Sequence, residues 1–191
     1  FATQPNGNGI VLAGQKSGIV WAIDPATGAV VWKTHIGTGG PNGGIHWGIA
    51  FDKDTVYAPV STVGVAIPGE WDGDPKIKPG LYALNAKTGK IKWQYNPELN
   101  PGEVAPANGR APRSGAMSAA PIVIDGVVIA ATLDGTVHAV DATTGALLWK
   151  KALWLVVAWL CCSRPRRSTS SSSRVTRRPA RTSCVSRCRL R

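Results

Sequence analysis

His46 and Trp47 stand side by side in this 191-residue sequence, directly after Gly43, Gly44 and Ile45. An indole can stack on a planar ring while an adjacent imidazole donates a hydrogen bond to it, so the pair is a candidate for holding a flat cofactor. The structural alternative is a Trp that closes the packing between two sheets, with the His at the surface. Arg113, followed by Ser114, offers a planar fork of donors that matches a carboxylate; the alternative is an exposed loop Arg. Glu70, Asp72 and Asp74 crowd three carboxylates into five residues, the ligand type that calcium takes. The rest of a calcium loop is missing around them, and a solvated insertion accounts for them better. His35 and His138 fall on or beside expected strands and read as structural. Cys161 and Cys162 are adjacent, but their neighbours Ser163, Arg164, Pro165, Arg166 and Arg167 give them no built surroundings.

The elements that must position these side chains follow from one line written three times. Ala22, Asp24, Thr27, Gly28 and Trp32 recur as Ala83, Asn85, Thr88, Gly89 and Trp93, and again as Ala139, Asp141, Thr144, Gly145 and Trp149. The shared frame A-x-(D/N)-x-x-T-G-x-h-x-W has no insertion or deletion in any copy. Each copy reads as a β-hairpin. Residues 19–23 are β-branched and aromatic, as strands prefer. Asp24 can fold its carboxylate onto the following amides, and Gly28 can take the positive φ of a tight reversal. Period-two alternation puts Val30 with Trp32, Ile91 with Trp93 and Leu147 with Trp149 on one strand face, set to pack on a neighbouring sheet.

Strands in front of each hairpin extend it to a four-stranded meander. In the third unit, residues 121–124, 127–132, 136–141 and 146–150 are strands joined by short turns, Asp125-Gly126 the first of them. The second unit runs through residues 48–51, 56–60, 81–85 and 90–94. The first has strands at 10–13, 19–24 and 30–33; its opening strand is missing by this template, so Phe1 falls inside or just after it, which favours a truncated unit. Four-stranded sheets repeating along a chain are the pattern of propeller blades. The expected fold class is therefore all-β: a β-propeller fragment of about three four-stranded blades over residues 1–151. They divide into a partial blade at 1–37 and blades at 44–97 and 118–151. The long segments, 34–47, 61–80 and 95–118, are two interblade links and one loop between second and third strands, and all project from one face. Long loops on a rigid scaffold make that face the place to seek binding.

The charge is confined to one end. The formal net charge is +11, yet residues 1–153 hold 12 Lys/Arg against 11 Asp/Glu, while residues 154–191 hold 10 Arg, no acid and all four cysteines. The apolar run at 152–162 is too short to span a bilayer, which takes about 20 residues. Residues 152–191 read either as a disordered Arg/Ser/Cys tail able to attract phosphates, or as the product of a GC-rich gene read out of frame. The second reading removes the case for a nucleic-acid partner.

The repeated line resembles the tryptophan-docking motif of the quinoprotein dehydrogenases, propellers that use pyrroloquinoline quinone (PQQ) and whose eight blades lock together through its Gly and Trp. The stretch Gly43, Gly44, Ile45, His46, Trp47, Gly48, followed by Val56 and Tyr57, is similar to the polyvinyl-alcohol dehydrogenase branch. So is Ala119, Ala120, Pro121 running into residues 127–135. The resemblance covers about residues 5–151. It implies oxidation of a small or polymeric alcohol by PQQ with calcium, an electron acceptor such as a cytochrome c, and an exported, periplasmic or secreted setting. It also implies His46, Trp47 and Arg113 as cofactor contacts, and assigns neither a base nor calcium ligands. The alternative is a non-enzymatic propeller of the same repeat that binds proteins, such as an outer-membrane assembly lipoprotein. Three blades do not close a ring, since propellers use about 4–8; the isolated stretch is expected to be inactive and to expose sheet faces that aggregate.

Overall fold

The computed structural model describes residues 2–3 (backbone only), 7–39, 43–61, 78–98, 100 and 115–153. Among them there is no helix. Among the described residues twelve strands form three antiparallel four-stranded sheets, each a meander in chain order. The first holds β1 (Ala2–Thr3), β2 (Gly9–Gly14), β3 (Ile19–Ile23) and β4 (Val30–His35). The second holds β5 (Ala50–Asp52), β6 (Thr55–Val60), β7 (Gly80–Asn85) and β8 (Ile91–Tyr95). The third holds β9 (Ile122–Ile124), β10 (Val127–Ala131), β11 (Thr136–Asp141) and β12 (Leu147–Ala152). The first unit does have an opening strand, the two-residue β1, paired to β2 through Ala2 and Ile10.

The three hairpins are built alike, for reasons local to the repeated line. Oδ1 of Asp24 accepts from the amides of Ala26 and Thr27 at 2.9 and 3.0 Å. Oδ1 of Asn85 accepts from Lys87 and Thr88 at 3.0 Å, and Oδ1 of Asp141 from Thr143 and Thr144 at 2.9 and 2.7 Å. An amide oxygen serves as well as a carboxylate here, which is why Asn85 fits the acidic position. The Thr144 amide and hydroxyl and the Thr143 amide hold the Asp141 carboxyl below its usual range. Gly28, Gly89 and Gly145 close the turns with φ of 71°, 71° and 75°.

One expectation fails at the same place in every copy. Ala22 pairs with Trp32 but Ile23 with Val30, and the same skip separates Ala83 from Leu84 and Ala139 from Val140. The extra residue on the last strand is a β-bulge, which breaks the two-residue alternation. Val30, Ile91 and Leu147 are consequently 53%, 45% and 40% exposed rather than packed beside their tryptophans.

The sheets stack face to face, and the middle one is covered on both sides. Val56, Ala58, Val60, Tyr82 and Leu84 pack towards the first sheet with Ile10, Val20, Ala22, Ile36 and Ile45. Their alternates Tyr57, Leu81 and Ala83 pack towards the third with Met117, Val128, Ala130 and Val140. This is why β6 reads as a continuous apolar run while β3 and β10 alternate. The tryptophans fasten the stack: the Trp32 Nε1–H donates to the Ala86 carbonyl at 2.9 Å, and that of Trp93 to Ala142 at 3.1 Å.

Candidate functional site

Links between sheets and loops between second and third strands meet on one face. The amide of Ile45 donates to the Gln15 carbonyl, and that of Met117 to Val60, so each link crosses to the sheet before it. Each link also ties to its own sheet, Ser61 donating to Gly44 and Leu133 to Ala116. The glycines of the first link are there for backbone contact. A Cβ on Gly44, whose φ is 75°, would sit 2.0 Å from the Lys16 carbonyl oxygen, and one on Gly18 2.0 Å from that of Gly37. Backbone thus lies directly on backbone, and the link leaves residues 46–49 at a defined height.

His46 sits at that point, half-buried, and its ring is engaged on both sides. Nε2 lies 3.0 Å from the Gly43 carbonyl and Nδ1 2.7 Å from the Ser118 hydroxyl. A carbonyl only accepts, so Nε2 carries the hydrogen, and in the neutral ring the Ser118 O–H donates to Nδ1. Ser118 is 7% exposed and occupies in the second link the place that His46 occupies in the first. The imidazole therefore joins the two links, and with both nitrogens so engaged it holds its neighbour in place rather than presenting a free donor.

That neighbour is Trp47, 77% exposed. The alternative of an indole closing the packing between sheets does not hold. Its flat face is open to solvent, on a backbone fixed by the glycine contacts and by His46. Ser118 escaped the sequence reading; the available signal was its position directly before Ala119, Ala120 and Pro121, the counterpart of Trp47, Gly48 and Ile49. Arg113, Glu70, Asp72 and Asp74 lie outside the described residues, as do Cys161, Cys162, Cys184 and Cys188. The second link re-enters at Gly115, two residues after Arg113 and three before Ser118. Among the described residues no cluster of three or more His, Cys, Asp or Glu is placed to hold a metal ion.

His138, 3% exposed, belongs to a different construction. Tyr95 on β8 meets its Nδ1 at 3.0 Å, Thr132 meets its Nε2 at 3.3 Å, and the Thr132 hydroxyl donates to Asp134 at 2.5 Å. With the Thr132 hydrogen directed at the carboxylate, Nε2–H donates to Thr132 and Tyr95 O–H donates to Nδ1. The chain joins the second sheet to the third beside an open cavity of about 280 Å³, lined by Glu98, Asn100, Asp134, Thr136, His138 and Lys150. Burial lowers the pKa of His138 below its ordinary 6.5 and the Lys150 charge adds to this, against an opposing pull from Asp134. Asp134 itself is raised by burial but held below the usual carboxylate range by Thr132, Thr136 and Asn100.

A folded-state pKa below the unfolded one means that the unfolded chain takes up the proton first. Stability is thus expected to be level above pH 6.5 and to fall on acidification below it, until the folded ring also protonates. The slope from this one group cannot exceed about 1.4 kcal/mol per pH unit. Denaturant titrations across that window should show the slope in the wild type and its loss in His138→Gln; an equal slope in both would reject the assignment. The share of Asp134 is separate, appearing only as pH falls through the carboxylate range below 3.8.

A family model described as outer membrane protein assembly factor BamB (PQQ_2) matches residues 16–175. The chain is 36% identical over 150 residues to a polyvinylalcohol dehydrogenase of Sphingopyxis sp. (strain 113P3), covering 78% of this chain and 22% of that protein. It is 27% identical to the outer membrane protein assembly factor BamB of Yersinia pestis, over 75% of this chain and 54% of that one. Among solved structures, BamB from Moraxella catarrhalis superimposes with a TM-score of 0.50 at 20% identity, over 79% of this chain and 36% of that one. The chain thus spans about a fifth of the length of its dehydrogenase relative, and its fold is that of β-propeller blades.

Proposed function

The chain belongs to the PQQ-repeat family, and from that premise we propose that it is part of a PQQ-dependent alcohol dehydrogenase of the polyvinyl-alcohol type. The observation that carries this reading is Trp47: a large flat side chain, 77% exposed, on the face where the links and loops converge. A surface indole usually finds a partner, and one held this firmly is suited to a planar ring. Its fit to PQQ is as a stacking face. Arg113, on the same link as Ser118, is the candidate for a carboxylate of that cofactor. Among the described residues no cluster of three or more acidic, His or Cys side chains offers itself for calcium. When bound, PQQ would accept the electrons of the alcohol, and the protein would hold and orient it. His46 and Ser118 are positioning residues here: they fix the links that carry the indole.

The substrate class under this reading is a primary or secondary alcohol, small or polymeric, with a cytochrome c as electron acceptor, in the periplasm or outside the cell. The second reading is a protein-binding scaffold. What favours it is the family description and the similarity to the assembly factor.

The two readings separate on adding PQQ and calcium to the protein and following tryptophan fluorescence. Saturable quenching, weakened about two- to tenfold in Trp47→Ala, is expected, since a lost aromatic stack costs about 0.5–1.5 kcal/mol. Quenching that is absent, or identical in the variant, would leave the scaffold reading in possession.

A further inference from the structure

We propose that the open cavity between the second and third sheets binds a small, neutral, polyhydroxylated molecule, a sugar or a polyol. The equivalent place in the second sheet is sealed. Tyr82 on β7 pairs with Gln94 as His138 on β11 pairs with Lys150, each directly before the alanine of the repeated line. Tyr82 is fully buried, and its hydroxyl donates to the Lys78 carbonyl at 2.5 Å and accepts from the Lys78 amide at 3.1 Å. Its ring is thereby closed onto the backbone four residues before it. In the third sheet the shorter imidazole of His138 turns its nitrogens to Tyr95 and Thr132, and Asp134 stands in the place of Lys78. A polar cavity of about 280 Å³ remains. At ~30 Å³ for each molecule of liquid water, that is room for roughly nine waters or one hexose. Both walls belong to this chain, Glu98 and Asn100 following β8 while Thr136, His138 and Lys150 lie on β11 and β12.

The lining divides into groups that are already bonded and groups that can still bond. Asp134 is fully used. Its Oδ1 accepts from the Thr132 hydroxyl and the Thr136 amide, and its Oδ2 from Asn100 at 2.9 Å and the Thr136 hydroxyl at 3.1 Å. Both nitrogens of the buried His138 are used as well, so the imidazole adds apolar ring surface. The Thr136 hydroxyl, having given its hydrogen to Asp134, keeps a lone pair for an incoming O–H. On the solvent side the Lys150 ammonium has three N–H bonds and gives one to Glu98 at 3.3 Å. The Glu98 carboxylate, the more exposed of the two, has acceptor sites to spare. Donor and acceptor thus stand side by side, and a hydroxyl group engages such a pair by accepting and donating at once. A second hydroxyl on the same carbon chain can serve Thr136. An anion would meet the two carboxylates and a cation the ammonium, whereas a neutral ligand meets neither repulsion. The site needs no PQQ or calcium and shares no residue with His46, Trp47 or Ser118.

Saturation-transfer difference NMR of the 191-residue protein, with meso-erythritol or methyl glucoside as the probe, is the test. It is run at about pH 8, where His138 is neutral. Saturable binding with a Kd of about 1–10 mM is expected, and ethanol, with a single hydroxyl, should give no saturable signal. Lys150→Ala and Glu98→Ala each remove one bonding partner on the solvent side. Each should weaken binding about three- to tenfold without unfolding the chain. His138→Tyr gives the third sheet the ring that seals the second and should abolish binding. If that variant does not fold, the two solvent-side substitutions decide. The inference is overturned by the lack of a saturable signal at any soluble probe concentration, or by binding indifferent to Lys150→Ala and Glu98→Ala. Unimpaired binding in a folded His138→Tyr overturns it too, as does tighter binding of ethanol, acetate or methylammonium than of either polyhydroxylated probe.

Discussion

Trp93→Ala is expected to cost the fold about 3–4 kcal/mol, while Trp149→Ala, the same substitution in the next repeat, should cost less than about 1 kcal/mol. The two residues occupy the same place in identical hairpins, pairing with Ala83 and Ala139 across the same bulge. What differs is the neighbour. Trp93 packs on the cluster formed with the third sheet, donates to Ala142, and lies 5.9 Å from the Tyr57 ring at 41°. Tyr57 donates to the same Ala142 carbonyl at 3.2 Å, so truncating Trp93 opens a cavity and strips one of that carbonyl's two donors. Trp149 is half exposed and loses little that water does not replace. Urea unfolding followed by circular dichroism, at concentrations where the protein is monomeric, measures both. Equal losses would mean that the tryptophans stabilise their own hairpins rather than the stack.

The second large effect separates two glycines that backbone geometry cannot tell apart. Gly28 and Gly89 share a φ of 71°, so alanine at either carries the same left-handed strain of about 1–2 kcal/mol. At Gly28 nothing further stands in the way. At Gly89 the added methyl would lie 2.6 Å from Cε3 of Trp32 and 2.7 Å from Oγ1 of Thr34, both held from behind by their own sheet. Overpacking of this kind adds about 1–3 kcal/mol. Gly89→Ala should therefore destabilise by about 2–5 kcal/mol in all, and Gly28→Ala by the strain alone. If the pair measured the same, the close seating of the Trp32 indole on the turn would be wrong.

Much of the architecture was legible because its causes are short-ranged. The capping bonds of Asp24, Asn85 and Asp141 reach two and three residues along the chain. A side chain and an amide that close cannot avoid one another, and the turn forms wherever the letters recur. Apart from β1, the strands followed from composition and alternation to within two residues at each end. The bulge escaped because it is a property of two paired strands: nothing in Val30, Val31 and Trp32 read alone says which is the extra one.

The candidate site was half legible. Gly43, Gly44, His46 and Trp47 stood out by type, and the long loops pointed to the face where the links between sheets lie. The choice between a packing Trp and an exposed one was not readable, because it depends on what lies 72 residues away at Ser118. His46 was a candidate donor to a ligand until the second link was placed against it. His138 read as structural, and the reason emerged only with Tyr95 43 residues earlier in the chain.

The sequence by itself determined the repeat, the hairpins, the positive-φ glycines and hence the blade. Those depend on contacts that the chain makes with itself inside a few residues, where closing the loop costs little entropy. Only the tertiary structure decided that Trp32 and Trp93 are covered by the next sheet while Trp149 is half exposed, that Gly89 and Gly145 lie under an indole while Gly28 is open, and that Trp47 faces water. Trp32 finds its acceptor 54 residues on and Trp93 finds its own 49 residues on. Burial is a relation between sheets, and three identical lines acquire different roles when their neighbours differ.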